Sequence, residues 1–226
     1  GATPLQVELT LVRMSTHTSR NTEKTYLTEF YRTFDSVKEE KFDGLIITGA
    51  PIETLAFEEV TYWRELCQIF EWSKSNIHST LSVCWGAMAM LNYFHSIEKH
   101  LLKNKACGCF RHKNLLPSSP YLRGISDDFI IPVSRWTEIK NLDILNCKNL
   151  ELLLSSKEVG ACFARDKKFR ILYIFNHIEY DTNTLKDEYL RDLAGNKKAA
   201  MPKNYFPNDN IGLSPENRWR SHAHII

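Results

Sequence analysis

Apolar residues alternate with polar ones at Leu5, Val7, Leu9 and Leu11, which predicts a strand over residues 5–11. The period then changes. Tyr26, Phe30, Phe34 and Val37 recur at helical spacing and predict a helix over residues 23–40. The run "FDGLIITGAP" reads as a short buried strand ending in a Gly-Ala-Pro turn. Val60, Trp63, Leu66, Cys67 and Phe70 then repeat at three and four, the mark of an amphipathic helix over residues 57–76. "STLSV" is a further buried strand, and "WGAMAMLNYFHS" a further helix.

Strand and helix thus alternate three times, the pattern of a parallel sheet with helices on both faces. The fold class predicted is α/β with a mostly parallel sheet. Residues 99–139 are less regular, with Pro117 and Pro120 in a loop between short strands. "EVGACFARDKKFRILYIF" reads as a β-hairpin turning at residues 165–168. "TLKDEYLRDLAG" reads as a closing helix capped by Gly195, and "AAMPKNYFPNDN" as irregular chain. No internal repeat divides the sequence, so residues 1–226 are expected to form one domain. Both ends read as interruptions of a longer protein.

The strand-to-helix junctions carry the chemistry. Cys84 stands where an apolar strand gives way to a helix, at the carboxyl edge of the predicted sheet, where open α/β folds bind ligands. The amides of the following helix face that turn and can hold a thiolate or a developing oxyanion. Ser82-Val83-Cys84-Trp85-Gly86 keeps only the second glycine of a nucleophile elbow. A bare cysteine there is most often a small buried hydrophobe. The strand over residues 171–175, however, ends in Asn176-His177-Ile178-Glu179. His177 at a second strand end, with Glu179 two residues on, supplies a base and its orienter. Cys84, His177 and Glu179 together make a nucleophile, base and carboxylate set for acyl transfer or amide hydrolysis.

Charge and cysteine usage narrow the class further. A net charge of +2, with basic residues scattered, gives no electrostatic case for nucleic acid. No apolar stretch approaches the length of a membrane span. Six cysteines without paired spacing read as free thiols in a reducing compartment, the cytoplasm. Cys107, Cys109 and His112 lack a suitably spaced fourth metal ligand, so no metal is expected.

Longer stretches add a resemblance. "TPLQVELTLVRMSTHTSRNT", "FYRTFDSVKEEKFDGLIITGAPIETLAFEEVTYW", "FEWSKSNIHSTLSVCWGAMA", "HIEYDTNTLKDEYLRD" and "NYFPNDN" resemble the homoserine O-acyltransferase family nearly end to end. The resemblance implies a class I glutamine-amidotransferase-like fold, further residues before and after this chain, and a homodimer. It implies ping-pong chemistry with acetyl-CoA as co-substrate and no bound cofactor. In that scheme Cys84 takes the acyl group and His177, oriented by Glu179, deprotonates the incoming hydroxyl. The backbone amide of Trp85 helps form the oxyanion hole. Lys105 matches an active-site lysine, and Arg191 an arginine expected to bind the amino-acid carboxylate. Ser134 and Arg135 match a Ser-Arg pair lining the same pocket. Glu53, two positions after the Thr-Gly-Ala-Pro turn, matches members that transfer acetyl rather than succinyl. A carboxylate there would repel the free carboxylate of succinyl-CoA.

The sequence departs from the family beside Cys84, His177 and the Ser134–Arg135 pair. Asn176, Ile178, Val133, Trp136 and Met88 replace the usual neighbours. Altered volume around the acceptor favours serine slightly over homoserine, although one methylene is worth only about 1–3 kcal/mol. Serine would place the reaction in cysteine synthesis, homoserine in methionine synthesis. Glutamine amide hydrolysis and a non-catalytic metabolite-binding role are the other readings. The retained Cys84, His177, Glu179 and Arg191 argue against the second of these.

Overall fold

A computed structural model describes residues 4–16, 24–195 and 199–225. The helix start expected at residue 23, and residues 3 and 17–22 of the first resembling stretch, lie outside the described residues. The chain opens with β1 (Leu11–Arg13), α1 (Lys24–Phe30), β2 (Tyr31–Thr33) and α2 (Phe34–Val37), followed by β3 (Phe42–Ile47). The long helix expected here is interrupted, because Tyr31–Thr33 pairs in parallel with Leu11–Arg13. Aromatic and β-branched residues favour that extended pairing. Phe34 and Val37 are buried against Ile69, whereas Tyr26 and Phe30 are exposed. The strand expected over residues 5–11 is a strand only from Leu11 onward. Leu5 is 76% exposed.

Next come α3 (Trp63–Asn76), β4 (Ile77–Val83), α4 (Trp85–His95), β5 (His100–Asn114) and β6 (Asp128–Glu138). The region expected to be irregular is therefore a long antiparallel hairpin. After α5 (Asn141–Leu145), three strands follow: β7 (Leu150–Ser156), β8 (Gly160–Asp166) and β9 (Ile171–Ile174). α6 (Thr184–Ala194) and α7 (Arg220–Ala223) close the chain, and Gly195 is the C-cap of α6 as expected.

The main sheet runs β3-β4-β9-β8-β7-β5-β6. The α/β class is the one expected. Parallel pairing within this sheet is confined to β3, β4 and β9, and the remaining neighbours are antiparallel. β3 is an edge strand, so Ile46 is 62% exposed rather than buried. Alternation in β9 feeds two cores. Ile171 and Tyr173 pack with Leu66 and Phe70 of α3 and Met88 of α4. Ile174 faces the other way, to Leu122, Ile125 and Phe129, with Leu172 and Ala223 at the margin. Both faces of the central strands are thereby closed to water. Reactive groups at their carboxyl ends are held by a rigid frame.

Candidate active site

β4 and β9 are adjacent and parallel, with Val83 opposite Ile174. Residues just past each strand therefore meet at one edge. Cys84 is the first of these. It is the N-cap of α4 and adopts φ 52°, ψ −121°, a left-handed conformation that costs a non-glycine residue free energy. The amide of Cys84 donates to the carbonyl of Ile174 over 2.7 Å, which ties the strained turn to β9.

The glycine missing before the cysteine is supplied from elsewhere. A Cβ on Gly49, just past β3, would stand 3.1 Å from Cβ of Cys84 and 3.7 Å from the amide nitrogen of Trp85. A Cβ on Gly86 would stand 2.7 Å from the carbonyl oxygen of Thr48. The Thr48-Gly49 loop and the first turn of α4 thus approach closely because both carry glycine. The first-turn amides of α4, beginning with Trp85, have no acceptor inside the helix and face this junction.

His177 arrives from β9. Its amide donates to the carbonyl of Pro132, which brings β6 to the same edge. Its ring is buried, lies close enough to Cys84 to feel that side chain, and places Nδ1 2.7 Å from Oε1 of Glu179. Tyr180 stacks on the imidazole with ring centroids 4.2 Å apart. Burial acts to lower the imidazole pKa, but the hydrogen bonds and charges of Cys84 and Glu179 outweigh it. The pKa of His177 is pushed up to about 10. Cys84, His177 and Glu179 thus lie together at this edge.

A second set of groups leads away from His177. The hydroxyl of Tyr180 donates to Oε1 of Glu188 at 2.6 Å, and that of Ser134 to Oε2 at 2.5 Å. Nζ of Lys105 lies 3.8 Å from Glu188 and 3.2 Å from Asp192. Asp192 in turn accepts from the guanidinium of Arg191 at 3.0 Å. Lys105, Ser134 and Arg191 are therefore joined to His177 through Tyr180, Glu188 and Asp192, none of which sequence reasoning singled out. The signal available was the spacing of Glu188 and Asp192, four apart on one face of a helix. Arg191 is at the far end of this chain and its side chain is 65% exposed.

Arg135 departs from its expected place in an acceptor pocket. It is 1% exposed, and each of its three nitrogens donates inward, to Asn176 Oδ1, to the Thr137 carbonyl and to the Val159 carbonyl. A guanidinium so engaged supports the frame and has no fork left for a substrate carboxylate. Glu53 is not a solvated turn residue. Its Oε2 accepts from the amide of Trp136 at 2.9 Å and lies 3.4 Å from the Thr137 hydroxyl. Burial raises its pKa against those hydrogen bonds and the nearby charges of Lys105 and Arg135. His112 is committed to Phe110 and Asn176, apart from Cys107 and Cys109, which pack with Tyr205 and Trp219. Among the described residues no group of three His, Cys, Asp or Glu side chains is placed to hold a metal ion. No helix among them is long and apolar enough to cross a membrane.

A family model described as homoserine O-succinyltransferase matches residues 1–226. A homoserine O-acetyltransferase of Ruegeria sp. (strain TM1040) is 59% identical over 226 residues, covering 100% of this chain and 72% of that protein. The enzyme of the same name from Ruegeria pomeroyi is 58% identical, with the same coverage. That from Roseobacter denitrificans is 57% identical, covering 100% of this chain and 74% of that protein. Among solved structures, a glutamine amido transferase from Methylobacillus flagellatus superposes with a TM-score of 0.56 at 10% identity, over 96% of this chain and 87% of that one. A glutamine amidotransferase from Thermotoga maritima gives a TM-score of 0.55 at 14% identity, over 76% and 77%. At such identities these two speak for the fold alone, which is the class I glutamine-amidotransferase-like one.

Proposed function

The chain belongs to the homoserine O-succinyltransferase family, and from that membership we propose that it moves an acetyl group from acetyl-CoA to the side-chain hydroxyl of L-homoserine through a thioester on Cys84. The observation that carries this reading is the Cys84–His177–Glu179 contact at the carboxyl ends of two adjacent parallel strands. The serine preference inferred from altered neighbours is set aside. Relatives at 57–59% identity are named for homoserine, which supports the alternative and a place in methionine synthesis.

His177 takes the proton of the Cys84 thiol as the first step. The thiolate attacks the thioester carbonyl, and the oxyanion forms against the Trp85 amide at the head of α4. The C–S bond to CoA breaks, and His177 returns its proton to the departing thiolate. Acylation removes the Cys84 charge that had held the proton on His177, which lowers the imidazole pKa again. His177, still oriented by Glu179, can then take the proton of the homoserine hydroxyl as that oxygen attacks the acetyl-cysteine. Lys105, Ser134 and the charges of Glu188 and Asp192 suit an acceptor carrying both an ammonium and a carboxylate. Glu53, between β6 and the loop after β3, opposes a second carboxylate on the acyl group and so disfavours succinyl-CoA.

The test is intact-mass analysis after mixing with acetyl-CoA, followed by a chase with L-homoserine or L-serine. One acetyl group on Cys84, absent in Cys84→Ala and discharged faster by homoserine, is the expected result. An unmodified Cys84, or faster discharge by serine, would sink the reading.

A further inference from the structure

Cys84 is not the only cysteine in contact with a histidine. α4 begins just after Cys84 and ends at His95, roughly 15 Å further along its axis. At that far end Nδ1 of His95 lies 3.6 Å from Sγ of Cys147, and Nε2 lies 2.6 Å from Oδ2 of Asp166. His95 and Asp166 are buried, whereas Cys147, just beyond α5, is partly exposed. Asp166 is fixed on both oxygens. Its Oδ1 accepts the amides of Lys168 and Phe169 at 2.7 and 3.0 Å, so Oδ2 is held toward the imidazole. Burial acts to raise the Asp166 pKa, but the His95 hydrogen bond and these two amides prevail and keep it low. An ionised Asp166 accepts a hydrogen bond from Nε2–H of His95, which leaves Nδ1 as the nitrogen facing sulfur. Three groups from three elements, the segment after α5, α4 and β8, thus stand in the order nucleophile, base, orienter.

His95 occupies the last turn of α4, where the helix carbonyls favour a cation. Phe169 covers the imidazole, with ring centroids 6.5 Å apart, and the ammonium groups of Lys74 and Lys168 lie over that ring.

We propose that Cys147 is a second reactive thiol, a modification site for hydroperoxides, with His95 as its proton acceptor and Asp166 as the residue that positions His95. Nδ1 of His95 takes the thiol proton and the thiolate attacks one peroxide oxygen. An S–O bond forms and the O–O bond breaks. Sulfur is oxidised by two electrons to the sulfenic acid, and the peroxide is reduced to water or an alcohol, whose oxygen recovers the proton from His95. Acyl transfer does not use these groups, so this inference stands apart from the function proposed above.

Tryptic peptide 141–148 carries Cys147 alone and peptide 65–74 carries Cys67 alone, another partly exposed free cysteine. The whole protein is treated with hydrogen peroxide and dimedone near neutral pH, and the two peptides are followed by mass spectrometry. Cys147 should be tagged at least about tenfold faster than Cys67, and the excess should vanish in His95→Gln. Asp166→Asn, which keeps the imidazole, should lose most of it and serves where His95→Gln does not fold. Equal tagging of the two cysteines in the unaltered protein, or wild-type tagging in a folded variant, would overturn the proposal.

Discussion

Asn176 places its side-chain amide 2.9 Å from Nε2 of His112, one residue before the imidazole that contacts Cys84. Nδ1 of His112 lies 2.9 Å from the Phe110 carbonyl, so it carries the proton and Nε2 accepts from Asn176. Oδ1 of Asn176 accepts from Arg135 Nε. A neutral, fully bonded His112 therefore fixes the residue that leads into the site.

Acid should break this arrangement. Burial drives the His112 pKa down to about 4, against the pull of the Phe110 carbonyl. In the unfolded chain the same histidine titrates near 6.5. The unfolded state thus binds the extra proton first, and stability is lost as pH falls from about 6.5 toward 4, by up to about 3 kcal/mol. Urea unfolding at several pH values should show this loss. His112→Gln, which cannot take up the proton, should be less stable near neutrality but have a flatter profile over that window. Equal slopes for the two proteins would count against His112 as the cause.

Strand ends were the legible part of this site. The apolar runs before Cys84 and His177 mark buried parallel strands, and such strands deliver their carboxyl-end residues to one edge. The resemblance added Lys105, Ser134 and Arg191, which share a polar chain. What could not be read is what depends on distant pairing. Tyr31–Thr33 has a helical neighbourhood and becomes strand only because Leu11–Arg13 lies beside it. Leu150–Ser156 shows neither clean alternation nor helical spacing and becomes strand by pairing with Gly160–Asp166. Arg135 matched a pocket motif, yet its guanidinium turns to Asn176 and two carbonyls, an orientation no spacing encodes. The room made by Gly49 for Cys84 likewise exists only in three dimensions.

That room gives a second prediction. Gly86→Ala sets a methyl group 2.7 Å from a backbone oxygen and 2.9 Å from Cγ2 of Ile47, a clash the backbone must relieve. The cost should be about 1–3 kcal/mol by thermal or urea unfolding. Gly49→Ala meets the Cys84 side chain itself at 3.1 Å, which moves the nucleophile more than it disturbs the fold. Cys84 acetylation should slow by about tenfold or more with little change in the unfolding midpoint. An unaltered acetylation rate in Gly49→Ala would show that Cys84 does not depend on this contact.

A third prediction concerns the chain through Glu188. Glu188→Gln keeps its shape but removes the charge facing Lys105, and weakens what it accepts from Ser134 and Tyr180. The effect should fall on the amino-acid half of the reaction, raising the KM for homoserine about tenfold while Cys84 acetylation proceeds unchanged. Tyr180→Phe retains the ring stack on His177 and loses only the hydroxyl, so it should cost about 0.5–1.5 kcal/mol of stability and less activity. If both variants slow acetylation instead, the network supports His177 rather than the acceptor.

The two half-reactions should also differ in pH dependence, because His177 does opposite work in them. Before acylation its proton is held up to about pH 10 by Cys84 and Glu179, so proton supply to the departing CoA is secure across the neutral range. After acylation only Glu179 remains to hold it, the imidazole pKa drops, and the neutral form becomes available as base. Loss of that form on acidification should slow discharge to homoserine in mild acid. Rapid-mixing experiments with pre-acetylated protein isolate this step, and its rate should rise with pH to a plateau around neutrality. Glu179→Gln removes the remaining anionic partner and should shift that rise to lower pH while reducing the plateau. A discharge rate that is flat through mild acid, or a rise that moves upward in Glu179→Gln, would remove His177 from the role of base.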